Sequence, residues 1–175
     1  MKTIGIGESW LADKIKDWES NLPEHIALAY LPSLGQVKLR LTAVGNDRGM
    51  LKDEVEKQID RLKPLAGKYI FGYNGDQIQE VVGGMLKNNQ LTLATAESCT
   101  GGYLAHMITS VPGSSAYFQA SVIPYHNDHK MNLLGVKQNT LEESAAVSEH
   151  TFIEIANGVT KKFNTALAVA TSETA

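Results

Sequence analysis

At 175 residues, 43% hydrophobic and 20% charged, the chain has the size and composition of one ordinary globular domain or two small ones. Its formal charge of -3 argues against a nucleic-acid partner, which demands a concentrated basic surface, and the lone cysteine, Cys99, excludes an internal disulfide framework and fits a reducing compartment. No apolar run reaches the roughly 18 residues of a membrane span, and Met1 to Gly7 lacks the apolar stretch of a signal peptide, so a soluble cytoplasmic protein is expected.

Glu8 to Ser20 carries Leu11, Ile15 and Trp18 at helical spacing, continued by Leu22 and stopped by Pro23. A strand is expected over Ile26 to Leu31, a turn over Pro32 to Gly35, and then a half-buried strand in which Val37, Leu39 and Leu41 alternate with Lys38, Arg40 and Thr42. Leu51, Val55, Ile59 and Leu62 mark a second amphipathic helix, closed by Pro64 and Gly67, and Lys68 to Tyr73 reads as a short strand. The order helix, strand, strand, helix, strand predicts a small α+β domain with its helices on one sheet face. Asn74-Gly75 is the expected boundary, giving domains 1–74 and 75–175.

The second half alternates apolar strands with helices, the pattern of an α/β layer structure. Ile78, Val81, Val82 and Met85 define a helix, Leu91 to Ala96 a strand, Gly101 to Thr109 a helix, and Phe118 to Ile123 a strand. A short helix over Asp128 to Leu134 stops at Gly135. Thr140 with Glu143 has capping-box spacing, and Ser148 caps a long helix with Phe152, Ile155, Val159 and Phe163 inward. Lys161 and Lys162 sit at its C-terminal end, where positive charge is favoured, and Ala166 to Ala170 reads as a last buried strand.

The chemistry is concentrated in Thr95-Ala96-Glu97-Ser98-Cys99-Thr100-Gly101-Gly102, where a buried strand hands over to a helix. Such a junction aims free backbone N–H groups at a ligand, either a phosphate or the oxyanion formed when Ser98 attacks a carbonyl. Equally, Ser98 or Thr100 reads as a plain helix cap. A hydroxyl nucleophile needs a base. His126 and His129 have a metal-ligand spacing, yet no acidic or cysteine ligands cluster beside them, and His106 and His150 are poorly placed. Tyr125-His126-Asn127-Asp128-His129-Lys130 offers another base if Tyr125 ends the strand and Asn127 caps the helix. Lys130 must then lose about 2–3 units from its ordinary pKa of about 10.4, which only burial or a positive field can produce. By default Lys130 is a solvated helix residue.

Five motifs occur in order: Ala-Glu-Ser-Cys-Thr-Gly-Gly (96–102), Val-Pro-Gly-Ser-Ser-Ala (111–116), Tyr-x-Asn-x-x-Lys (125–130), Leu-Leu-Gly-Val (133–136) and Ala-Val-Ser-Glu (146–149). Together they resemble the C-terminal, PncC-type domain of the CinA competence/damage-inducible proteins. Gly-Ile-Gly-Glu-Ser (5–9) and Leu-Pro-Ser-Leu-Gly-Gln-Val (31–37) resemble the middle domain of long CinA proteins. The resemblance implies a KH-like or ferredoxin-like α+β domain followed by an α/β layered amidase domain. It implies an amidohydrolase that converts nicotinamide mononucleotide and water to nicotinate mononucleotide and ammonia, recycling pyridine nucleotide. Ser98 would be the nucleophile, Lys130 the general base and Tyr125 the group that relays or orients the proton. Glu97, Cys99, Thr100, Gly101, Gly102 and Asn127 would contact substrate, with the backbone N–H groups from Thr100 to Gly102 around the oxyanion. No metal and no organic cofactor is implied, and a homo-oligomer is.

Three departures from the family pattern stand out. This sequence does not include the nucleotide-pyrophosphatase-like domain that opens long CinA proteins, so either a fragment or a protein without that activity is expected. The chain ends at Thr171-Ser172-Glu173-Thr174-Ala175, where the family continues into a Thr-Gly-Ile-Ala-Gly-Pro type loop, so a truncated amidase domain is expected. His126 and His129 stand where small or apolar residues are usual. The alternative is a non-catalytic assembly or nucleotide/RNA-binding module, for which Gly72-Tyr73-Asn74-Gly75 supplies a G-x-x-G spacing.

Overall fold

The computed structural model describes residues 1–144 and 148–172 and divides into two units, Met1–Ile78 and Gln79–Ala175. Ala146 and Val147 of the fifth motif and the terminal Glu173-Thr174-Ala175 lie outside the described residues.

The first unit runs β1 (Lys2–Ile4), α1 (Glu8–Ser20), β2 (Ile26–Ser33), β3 (Gln36–Ala43), α2 (Arg48–Ala66) and β4 (Ile70–Gly72). Its sheet has the order β2-β3-β1-β4 with every neighbouring pair antiparallel. That is the split βαββαβ pattern of ferredoxin-like domains. Leu11, Ile15 and Trp18 of α1 pack with Val37 and Leu39 of β3 and Leu62 and Ala66 of α2 in one buried cluster. Each fully buried Leu or Ile there contributes about 1.5–3 kcal/mol. The indole of Trp18 donates to the Gln58 carbonyl at 3.1 Å, which ties α1 to α2.

Several boundaries differ from expectation. β1 was not foreseen, because its inward residue is polar: Thr3 is buried and its hydroxyl donates to the Val37 carbonyl at 2.8 Å. Pro32 and Ser33 belong to β2, so the turn shrinks to Leu34-Gly35 between the paired Ser33 and Gln36. β2 is an edge strand, where a proline's missing N–H costs no ladder bond. α2 runs through Pro64 to Ala66, since a proline in the last turn deletes only one bond near the frayed end. Gly67–Tyr69 forms a 3₁₀ turn, leaving β4 three residues long.

The second unit runs α3 (Ile78–Asn88), β5 (Leu93–Glu97), α4 (Tyr103–Thr109), β6 (Phe118–Val122), α5 (Asn127–Leu134), α6 (Gln138–Ser144), α7 (Glu149–Phe163) and β7 (Leu167–Thr171). The three strands are parallel in the order β6-β5-β7, with β5 buried throughout. Alternation along β5 sends Ala94 and Ala96 to one face, where they pack with Leu134 of α5 and Ile155 and Val159 of α7. Leu93 faces the other way, against Leu86 of α3, Ile108 of α4 and Tyr117. The small alanines allow close helix approach, and Gly158 of α7 lies directly against the Leu134 carbonyl.

Ser148 caps α7 as expected, accepting from the Thr151 N–H at 3.2 Å. Thr140 does not open a capping box: it sits inside α6 and its hydroxyl donates to Glu154 at 3.1 Å. The α3 face expected to turn inward is partly uncovered, with Val82 and Met85 exposed and Gly83 and Leu86 buried. β7 is not buried on both sides either, because it is a sheet edge with Leu167 and Val169 exposed. Among the described residues no helix is long and apolar enough to cross a membrane.

Candidate active site

Parallel strands bring their carboxyl ends to one edge of the sheet, where ligands of open α/β sheets bind. Ser98 immediately follows β5, and Tyr125 lies three residues beyond β6, just before α5. The β5 strand ends one residue later than expected, with Glu97 inside it and α4 starting only at Tyr103. Between them Cys99 to Gly102 form a turn with Gly101 at φ +56° and Gly102 at φ +98°. Left-handed backbone at two successive residues is what glycine supplies cheaply, and this is the physical reason for the Gly-Gly pair.

Ser98 is buried, and its backbone is fixed on both sides. Its N–H donates to the Thr171 carbonyl of β7 at 3.0 Å and its carbonyl accepts from Gly101 N–H at 3.1 Å. Thr100 places its hydroxyl 2.7 Å from Glu97 Oε2 and 2.6 Å from Thr171 Oγ1. Cys99 is exposed.

Glu97 is fully buried. Its Oε2 accepts from Thr100 Oγ1, from Gly102 N–H at 3.1 Å and from Leu104 N–H at 2.9 Å. Its Oε1 accepts from Ala105 N–H at 2.8 Å and Ser121 Oγ at 3.3 Å. Burial by itself pushes a carboxyl pKa up; the hydrogen bonds from Thr100, Ala105, Leu104 and Ser121 together outweigh it and hold Glu97 below the usual carboxylate value. The amides of Gly101 and Gly102, expected to face an oxyanion, are therefore both occupied inside the turn. Those of Cys99 and Thr100 make no hydrogen bond among the described residues.

Lys130 overturns its default reading as a solvated helix residue. It is 3% exposed, and burial lowers its pKa from the ordinary lysine value. Its Nζ donates to Asn127 Oδ1 at 3.2 Å, a neutral amide, and no carboxylate pairs with it among the described residues. Asn127 is not the helix cap. His126 takes that place, its Nδ1 accepting from Asp128 N–H at 3.3 Å, which leaves Asn127 as the first helical residue, three positions before Lys130. His126 and His129 are exposed, with ring centroids 6.4 Å apart. Tyr125 is 68% exposed. No hydrogen bond joins Ser98, Tyr125 and Lys130 among the described residues; Ser98 and Tyr125 follow the carboxyl ends of the neighbouring strands β5 and β6, and Lys130 lies in α5, the helix that comes next in the chain.

In the first unit Gly72-Tyr73-Asn74-Gly75 does not form an open clamp between two helices. Asp76 closes it: Oδ2 accepts from Tyr73 N–H at 2.8 Å, and Asp76 N–H donates back to the Tyr73 carbonyl at 2.9 Å.

The signals missed in the sequence were those of burial direction. Period-two alternation places Glu97 on the same face of β5 as Leu93 and Thr95, and that was the available clue to its inward carboxylate.

Residues 1–72 match the damage-inducible protein CinA KH domain, and residues 75–175 match the CinA C-terminal domain. A CinA-like protein of Cytophaga hutchinsonii is 47% identical over 172 residues, 98% of this chain and 41% of that protein. One of Flavobacterium psychrophilum is 46% identical over 97% of this chain and 41% of its own length. The chain thus spans about two-fifths of the curated relatives it matches. Among solved structures, the competence damage-inducible protein A of Klebsiella pneumoniae is 33% identical, with a TM-score of 0.51 over 52% of this chain and 56% of that one. A competence-damaged protein (CinA) superfamily member from Escherichia coli is 29% identical, with a TM-score of 0.53 over 58% and 62%. On these matches, across both units, the chain belongs to the CinA family.

Proposed function

We propose that the second unit hydrolyses the carboxamide of nicotinamide mononucleotide in the cytoplasm, with Ser98 as nucleophile and Lys130 as general base. The observation that carries this reading is Lys130 itself, a buried amine hydrogen-bonded to a neutral amide and unaccompanied by a carboxylate among the described residues. A lysine is rarely buried without a partner, because desolvating its charge is costly. Such a perturbed group is a functional-site signature, and Ser98 at the end of β5 is the hydroxyl we assign as its partner.

The chemistry follows from these groups. Neutral Lys130 accepts the Ser98 proton as the hydroxyl oxygen attacks the carboxamide carbon. The carbonyl oxygen becomes an oxyanion, for which the Cys99 and Thr100 N–H groups are the donors left in the turn. The resulting ammonium of Lys130 returns the proton to the departing nitrogen, so ammonia leaves and a Ser98 ester remains. Lys130 then takes a proton from water as its oxygen attacks the ester, and returns that proton to the departing Ser98 oxygen, which frees nicotinate mononucleotide and restores the serine. Tyr125, exposed at the edge, is the member that substrate must draw in to relay or orient the proton.

Ammonia release from nicotinamide mononucleotide tests the proposal. The native chain is expected to release ammonia, and Ser98→Ala and Lys130→Arg are expected to lose at least about a thousandfold, as removal of a nucleophile or its base does. Equal release by native chain and Ser98→Ala, or none from the native chain, refutes it.

A further inference from the structure

We propose that Glu97 is a positioning residue, whose buried carboxylate gathers the first amides of α4 and two hydroxyls into one cluster that holds the Ser98 turn in its attacking shape. This rests on the amidase reading above and replaces a substrate contact for Glu97 with a role behind the nucleophile.

The hydrogen-bond inventory leaves no room for substrate. An ionised carboxylate has about four lone-pair sites. Glu97 already accepts from Thr100, Gly102, Leu104, Ala105 and Ser121. The hydroxyls also share one direction. Thr95 Oγ1 donates to Ser121 Oγ at 2.8 Å, and Ser121 donates on to Glu97. Because Thr100 gives its proton to Glu97, the 2.6 Å contact between Thr100 and Thr171 has Thr171 as donor. The chain of protons converges on Glu97 from β6 on one side and β7 on the other. Only an acceptor on both oxygens can end it.

The cluster also does the capping of α4. Gly102 at the N-cap has no side chain to offer, so the carboxylate reaches back from the preceding strand to satisfy the helix amides. Occupying the amides of Gly102, Leu104 and Ala105 withholds them from solvent and ligand. It leaves those of Cys99 and Thr100 for the oxyanion. The Thr100 hydroxyl and the Ser98 N–H are both anchored on Thr171, so the three residues from Ser98 to Thr100 are pinned at each end.

The test compares the native chain with Glu97→Gln, Thr100→Val and Ser98→Ala, reading ammonia release and the rate at which a disulfide reagent modifies Cys99. Cys99 is exposed inside the turn and is the chain's single cysteine, so its rate reports turn shape without any catalysis. In Glu97→Gln one oxygen becomes an NH₂ that faces donors. A fall in kcat of about a hundredfold with KM held within about twofold is expected, as for a displaced catalytic group. A change of about fivefold or more in the Cys99 rate is expected as the turn opens locally. Thr100→Val, which removes one donor and the link to Thr171, is expected to move both readouts the same way by less, and it decides the matter should Glu97→Gln not fold. A raised KM with native kcat means Glu97 touches substrate and overturns the proposal. So do native kcat and native Cys99 rates in the variants. A native chain that releases no ammonia refutes the amidase reading alone, and the Cys99 rates still separate a held turn from a free one.

Discussion

Replacing Lys130 with methionine is expected to raise stability at neutral pH while abolishing ammonia release. The folded chain holds this amine at 3% exposure, with its pKa below the ordinary lysine value because of burial. The unfolded chain exposes it to water. Below the folded pKa the native state must bury a charge that the unfolded state solvates freely. Each unit of depression corresponds to about 1.4 kcal/mol against folding. As pH climbs through the folded pKa toward the unfolded one, the unfolded state binds more protons at this site, and native stability rises. Methionine has a similar length and no charge, so the penalty vanishes. The amide oxygen left behind on Asn127 belongs to an exposed residue and passes to water. For a unit of about a hundred residues, one kcal/mol moves the melting temperature by about 4–8 °C. Calorimetric melts of both proteins between pH 6 and 10 should show the variant melting higher at pH 6, with the gap closing steadily toward pH 10. A variant that melts lower at every pH, with a constant gap, means the ammonium is well partnered and charged, and the argument for a neutral base fails.

Asn127→Asp sets a carboxylate against the Lys130 amine in place of a neutral amide, so the lysine pKa should rise by about one unit or more and the acid limb of the pH–rate profile should move upward with it; an unmoved limb contradicts Lys130 as the titrating base. Gly158→Ala drives a Cβ into the Leu134 carbonyl where α7 crosses α5, and is expected to cost about 1–3 kcal/mol in urea unfolding. Gly84→Ala on α3 meets open space and should be neutral or stabilising by about 0.5–1 kcal/mol, which makes it the control for glycine replacement within a helix.

Where apolar spacing and punctuation agreed, the sequence spoke plainly. α1 has the bounds Glu8–Ser20 that its Leu11, Ile15 and Trp18 spacing and the following Pro23 require, and Ser148 announces α7. β1 escaped notice because three residues with a threonine inward carry no periodicity. The β7 strand was read as buried because an apolar run says nothing about neighbours, and the order β6-β5-β7 puts it at an edge. Lys130 was illegible for a deeper reason: burial of a charged side chain depends on how α5 packs in the folded unit, which no local pattern encodes. Glu97 adjoins Ser98 in sequence, yet its carboxylate points to the face that α4 covers, so adjacency suggested a substrate contact that the hydrogen bonds do not leave open. The glycines at 101 and 102 read from the sequence as substrate contacts, whereas their positive φ angles show the backbone demanding them.

The central claim is that Ser98 forms a covalent ester during turnover. Acid quenching of the chain in the presence of nicotinamide mononucleotide, followed by peptide mass analysis, tests it most directly. The account predicts that the peptide containing Ser98 carries the acyl group of nicotinate mononucleotide in the native chain and not in Ser98→Ala. Product formation with that peptide unmodified at every quench time, and undiminished in Ser98→Ala, contradicts it.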